Sequence, residues 1–218
     1  MATGRLSLIR IPLILLAVGD LVLLAVRLRP WNEIMNLPTD GTAGYDPIIC
    51  VLTYIFLFFW IGGNRNPEVQ QALVKSLRMA IPAGLLAMGF VYLSDDHSRQ
   101  SFNLQMVALA VAALLCGLAG WQGAKVAGNR NPNLGIAAGV WASMVSALMA
   151  VAVVLARIDL AHPLPPSPDP WKQYQGLAIG NQTIQSLVHS LNMGTGFLLI
   201  IPLVGGTLGL LFALASRD

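Results

Sequence analysis

Long apolar stretches separated by short polar breaks run the whole length of this chain, and their spacing is what dictates the fold. Hydropathy places six of them, at about 8–28, 46–62, 69–94, 103–126, 133–157 and 187–214. Each approaches the roughly 20 apolar residues with which an α-helix crosses a hydrocarbon core of about 30 Å. They follow one another too closely for a soluble domain to fit between them. The pattern therefore predicts an all-α fold, a polytopic integral membrane helix bundle of about six transmembrane helices, with residues 1–218 forming a single transmembrane domain. The first stretch follows Arg5 and Arg10 as a signal peptide would. It is long, however, and ends in Val26-Arg27-Leu28-Arg29-Pro30 rather than at a small-residue cleavage site, so it reads as a retained helix.

Two of the breaks have the same sequence. Gly63-Asn64-Arg65-Asn66-Pro67 and Gly128-Asn129-Arg130-Asn131-Pro132 each separate one apolar stretch from the next. The residue types suit a turn between helices better than a ligand motif. Gly62, Gly63 and Gly128 can take the left-handed conformation that ends a helix. Asn66 and Asn131 can cap the following helix, whose first residue is Pro67 or Pro132, where a missing N–H costs nothing. Arg65 and Arg130 then stand at the carboxyl end of the preceding helix, where its dipole favours a cation. Segments 46–94 and 103–157 thus read as two tandem helical hairpins in parallel orientation, with weak identity beyond the turn.

Small residues recur at every fourth position in three stretches: Ala108, Ala112, Cys116, Gly120 and Ala124, then Gly135, Gly139, Ser143 and Ala147, then Gly205, Gly209 and Ala213. Lipid supplies no hydrophobic push between helices, so such stripes work by letting backbones approach. They are expected to form seams inside the bundle, the alternative being contact between copies. Pro82 and Pro202 fall within stretches, where each should bend its helix and free a carbonyl that needs another partner.

Composition agrees with the pattern, since 56% of residues are hydrophobic and 11% charged, against about 25% charged in an average soluble domain. The formal charge of +3, with no basic run, excludes nucleic acid as a partner. With the amino terminus inside, eight of the 13 basic residues (Arg5, Arg10, Arg65, Lys75, Arg78, Lys125, Arg130 and Arg217) fall on the inner side. The rule that positive charge stays in the cytoplasm then puts both termini and both repeated turns there. Trp60 and Trp121, a few residues before the turns, suit an interfacial aromatic belt, and Lys75 and Arg78 suit side chains that snorkel to the inner surface. The localisation expected is the cell's inner membrane. Cys50 and Cys116 lie in apolar stretches, where they serve as small hydrophobes. An outer loop at about 158–181, with five prolines between His162 and Pro170, reads as a stiff extended segment.

Candidate chemistry is sparse. No HExxH, GxSxG or Gly-rich phosphate loop is present, and no acids are paired for hydrolysis, so the chain is not expected to be an enzyme. No metal or cofactor is implied: His97, His162 and His189 all fall at or beyond the outer boundary rather than facing each other within the membrane, as haem ligation would need. The residue that stands out is Asp20, in Val18-Gly19-Asp20-Leu21-Val22, about 12 Å of helix rise inside the outer boundary. It must be protonated, paired or facing water. Gln185, His189 and Asn192 share one face at the start of the last stretch, and with Asp20 they suggest an outward polar pocket for a proton or cation. The competing reading is a neutral Asp20 hydrogen-bonded to a neighbouring helix. The function expected is that of a non-catalytic scaffold or accessory subunit that meets lipid and other membrane subunits or a second copy; the alternative is a small proton- or cation-coupled transporter with an outward-facing polar pocket around Asp20 and His189.

Overall fold

The computed structural model describes residues 3–27, 45–64, 66–93, 99–127, 131–157 and 179–215, apart from the side chains at several helix ends. Among these residues the structure is helical, without strands. The helices are α1 (Thr3–Arg27), α2 (Tyr45–Gly62), α3 (Pro67–Leu93), α4 (Arg99–Ala124), α5 (Pro132–Arg157) and α6 (Ile179–Ala215), with a 3-10 turn at Lys125–Ala127 after α4. Each apolar stretch becomes one helix. The last is longer than the stretch that marks it: its 37 residues rise about 55 Å. Hydropathy detects where apolar residues begin, whereas this helix already starts in the polar run from Gly180 to Ser186, which contains no proline to stop it.

Four helices, rather than the six expected, contain described segments long and apolar enough to cross a membrane: Pro67–Val91, Asn103–Ala124, Pro132–Ala156 and Gly194–Ala215. In α1 and α2 the segments whose side chains are described are shorter, Leu13–Val26 and Ile48–Ile61.

α5 is the axis of the bundle. It packs against α3, α4, α6 and α1, and meets α2 where Trp141 and Phe58 stack edge to face at 4.9 Å. The other five helices surround it in the order α3, α4, α6, α2, α1, with a slight contact between α1 and α3 completing the circuit. Every residue from Trp141 to Leu148 is buried. A helix apolar all round its circumference is one that other helices must enclose, and α5 is that helix here.

The outer helices sort their side chains by size. α1 buries Leu13, Ala17, Asp20 and Leu24 and exposes Ile11, Leu15, Val18 and Val22. α2 buries Val51, Tyr54 and Phe58 and exposes Ile49, Leu52, Phe56 and Phe59. α4 and α6 turn their small residues inward and Val107, Leu114, Leu199 and Leu203 outward. Water-soluble monomers rarely present contiguous apolar surface on this scale. Small residues inside and large apolar residues outside is the arrangement that lipid solvation favours.

The three small-residue stripes meet as seams within the chain. A Cβ placed on Gly209 would lie 2.7 Å from the Gly135 carbonyl oxygen, and one on Gly120 would lie 2.8 Å from the same atom. One on Gly139 would collide with the Gly205 carbonyl. Ser143 continues the seam against Gly205, its hydroxyl turned back to donate to the Gly139 carbonyl at 2.5 Å. α4, α5 and α6 thus touch backbone to backbone, and any side chain larger than hydrogen would separate them.

The repeated turns share their capping chemistry. The Asn66 side-chain oxygen accepts from the Glu68 N–H at 2.9 Å, and the Asn131 side-chain oxygen accepts from the Asn133 N–H at 3.0 Å. The first helical bonds continue in register, from the Gln70 N–H to the Asn66 carbonyl and from the Gly135 N–H to the Asn131 carbonyl. Pro67 and Pro132 occupy the first helical position, as expected. The left-handed glycine is not found at Gly63. That residue still donates to the Phe59 carbonyl at 2.7 Å, and a Cβ there would come within 2.6 Å of the same oxygen. Gly63 is therefore required for want of room and not for its backbone angle. Gly128, Arg65 and Arg130 lie outside the described residues.

The two hairpins differ in their packing beyond the turn. α4 and α5 pack along each other, but α2 makes little contact with α3 and lies on α1 and α6 instead. A common turn thus joins two helix pairs of different packing. The reason lies in the faces: α3 offers small residues such as Ala80, Ala83 and Gly84 to α4 and α5, whereas the bulky Tyr54 and Phe58 of α2 fill the space beside α5 and α6.

Candidate functional site around Asp20

Asp20 lies in the buried stripe of α1, between Ala17 and Leu24, on a helix that packs against α5 and α2. It is 1% exposed, and neither carboxyl oxygen has a hydrogen-bond partner among the described residues. An ionised carboxylate left unpaired at membrane depth costs about 3 kcal/mol or more. The hydrogen bond to a neighbouring helix that would satisfy a neutral acid is not seen among the described residues.

Of the four residues of the expected pocket, Asp20 and Asn192 have described side chains. α1 packs on α5 and α2, and any contact it makes with α6, which carries Gln185, His189 and Asn192, is marginal. Asn192 is exposed, whereas Asp20 is buried. The side chains of Gln185 and His189 lie outside the described residues. The outer loop at about 158–181 is also largely outside them, as are Asp95, Asp96, His97 and His162.

Two buried residues beside this interface were not singled out by sequence. Trp141 of α5 is fully buried, and its indole N–H has no partner among the described residues. Tyr54 of α2 donates its hydroxyl to the Leu198 carbonyl of α6 at 2.5 Å. Leu198 precedes Pro202 by four positions, so its carbonyl is the one that the missing proline N–H leaves without a helical bond. The freed acceptor required at Pro202 thus finds its donor on another helix. A signal for it was present, because Tyr54 is the tyrosine nearest the middle of an apolar stretch, where a hydroxyl needs a partner.

The ends of the bundle hold the remaining polar groups. Lys75 and Arg78 are exposed on α3, as snorkelling side chains would be. Trp60 is 69% exposed, and the Lys125 ammonium sits 3.5 Å from the centre of the Trp121 ring, a cation–π contact at the carboxyl end of α4. Cys116 is buried in the α4 stripe, Cys50 is half-buried, and both thiols are free. Among the described residues no group of three His, Cys, Asp or Glu side chains is placed to hold a metal ion.

Compared with protein-family models, with curated proteins and with solved structures, the chain matches none. Functional inference therefore rests on its own residues.

Proposed function

We propose that this chain is a non-catalytic multi-pass membrane protein of the cell's inner membrane, with both termini cytoplasmic, that serves as a scaffold or accessory subunit of a membrane assembly. The observation that supports this reading is the distribution of side-chain size. Glycine and alanine seams close the interior of α4, α5 and α6, while the exposed faces carry large apolar side chains suited to lipid and to other helices in it. A frame of this kind presents constant surfaces to its neighbours, which are the lipid bilayer and other membrane subunits or a second copy. The shared turns are consistent with descent from a duplicated hairpin whose first half has since changed partners.

A second reading, a small proton- or cation-coupled transporter, is favoured by one observation, the buried and unpartnered carboxyl of Asp20. Ionisable groups at membrane depth are costly and are retained mostly where they act. The two readings separate in one experiment. The full chain, extracted from its native membranes in mild detergent and weighed by native mass spectrometry, is expected in a complex of fixed stoichiometry with another membrane polypeptide or with itself. Recovery as a lone chain that drives proton or cation flux in vesicles, with the flux lost in Asp20→Asn, would replace the scaffold by the transporter.

A further inference from the structure

We propose that Asp20 is a proton-binding site enclosed between α1, α2 and α5, and that its ligand is a proton and not a metal cation. The inference rests on the residue that supports the transporter reading, but it does not require transport.

Leu13, Ala17, Asp20 and Leu24 keep the four- and three-residue spacing of one helical face, and the other three members are hydrocarbon. An apolar residue at position 20 would complete the stripe, so packing alone does not require a carboxyl. Position 20 is also not at the rim, being 1% exposed. The side chain is held within the bundle with two oxygen atoms that nothing described in the protein satisfies.

The surroundings select the ligand. A hard cation requires several oxygen ligands, about six for magnesium and six to eight for calcium. The faces that α2 and α5 bury in the same core are Val51, Tyr54 and Phe58 on one side and Val145, Leu148 and Val151 on the other. The hydroxyls these two helices bury are few: that of Tyr54 is committed to the Leu198 carbonyl and that of Ser143 to the Gly139 carbonyl, and Ser146 adds one more, far short of the oxygen set a cation needs. The charged and titratable groups of the helices against α1 do not supply a counter-charge. On α2, Asp46 is of the same sign and Cys50 is a free thiol. The membrane-depth length of α5 contains no ionisable side chain between Pro132 and Ala156. On α3, Glu68, Lys75 and Arg78 are exposed. A proton neutralises a carboxylate without further ligands, and it is the one ligand whose needs this setting meets.

The position of α1 makes exchange feasible. α1 is an outer helix with one face open to the surroundings, and α5, the axis it covers, is held independently by α3, α4 and α6. A small displacement of α1 would wet Asp20 without opening the glycine seams.

The test is infrared spectroscopy of the full chain in lipid bilayers. A protonated-carboxyl C=O band is expected at neutral pH and should be absent in Asp20→Asn. It should shift when the sample is transferred to D2O, and neither sodium nor potassium should remove it. If Asp20→Asn does not fold, selective 13C-aspartate labelling assigns the band to an aspartate in the unmodified sequence, and Asp20 is the aspartate buried among the described residues. Absence of the band, a band that never responds to D2O, or a band displaced by sodium or potassium would each overturn the proposal. In a parallel vesicle assay, an exchangeable band without proton flux keeps the site and removes the transporter. Flux without the band keeps transport and removes the site.

Discussion

Tyr54 and Pro202 form a pair whose two defects cancel: one lacks a partner for a buried hydroxyl, the other leaves a carbonyl without its helical N–H. Tyr54→Phe should therefore lower stability by about 1–3 kcal/mol, the cost of a buried acceptor left alone. In a Pro202→Ala background the alanine N–H can reach the Leu198 carbonyl, and the same change should cost distinctly less. A double-mutant cycle on thermal unfolding in detergent measures the difference, and additive effects would mean that Tyr54 and Pro202 are not coupled through the Leu198 carbonyl. Asn66 and Asn131 make a second test, because the two caps have the same geometry. Replacing either by Ala should cost about 0.5–2 kcal/mol in the same assay. At this scale the sequence was legible where chemistry is local. An Asn followed by Pro specifies its own cap, and Asp20 stands out against an apolar run. The Tyr54–Leu198 bond was not legible, because its partners are 144 positions apart and only the assembled bundle brings them together.

At the scale of the element, glycines of one chain divide into those that meet another backbone and those that meet nothing. Gly120→Leu and Gly139→Leu should each push α4, α5 and α6 apart and cost on the order of 1–3 kcal/mol through overpacking. Gly89→Ala is the control, since a Cβ at Gly89 would have nothing within 4 Å. There the gain in helix propensity, roughly 0.5–1 kcal/mol, should leave stability unchanged or raised. Equal melting temperatures for all three variants would show that the seam glycines are not in contact. The four-residue spacing of the stripes is enough to announce these seams, as the apolar stretches announce the helices. What spacing alone did not fix was the choice of neighbours. The shared GNRNP turn suggested two equivalent hairpins, but α2 carries Tyr54 and Phe58 where α3 carries alanines, and bulk directs it to α1 and α6. α1 and α6 begin ahead of the apolar stretches that mark them, because a helix continues through polar residues that hydropathy does not count.

For the whole molecule, the charge count and the repeated turns make one joint claim about sidedness. Single cysteines at positions 65 and 130 should react with an impermeant thiol reagent from the cytoplasmic side alone, and those at 97 and 167 from the opposite side alone. Reaction of 65 and 130 from opposite sides would end the parallel arrangement of the two turns. Sidedness and depth are also all that the sequence offered for the expected pocket. Asp20 and the face at 185–192 are matched by depth, a single coordinate, and the structure adds a second one, the angular order of the helices around α5. That order carries a further consequence for how the protein is made. The helix on which the others converge is fifth in the chain, so α1, α3 and α4 leave the ribosome before the surface they will cover exists. Until Pro132–Arg157 has emerged behind them, the faces they turn toward it lack their native cover. The nascent protein thus passes through an interval in which insertion machinery or a companion helix shelters the faces that await their own centre.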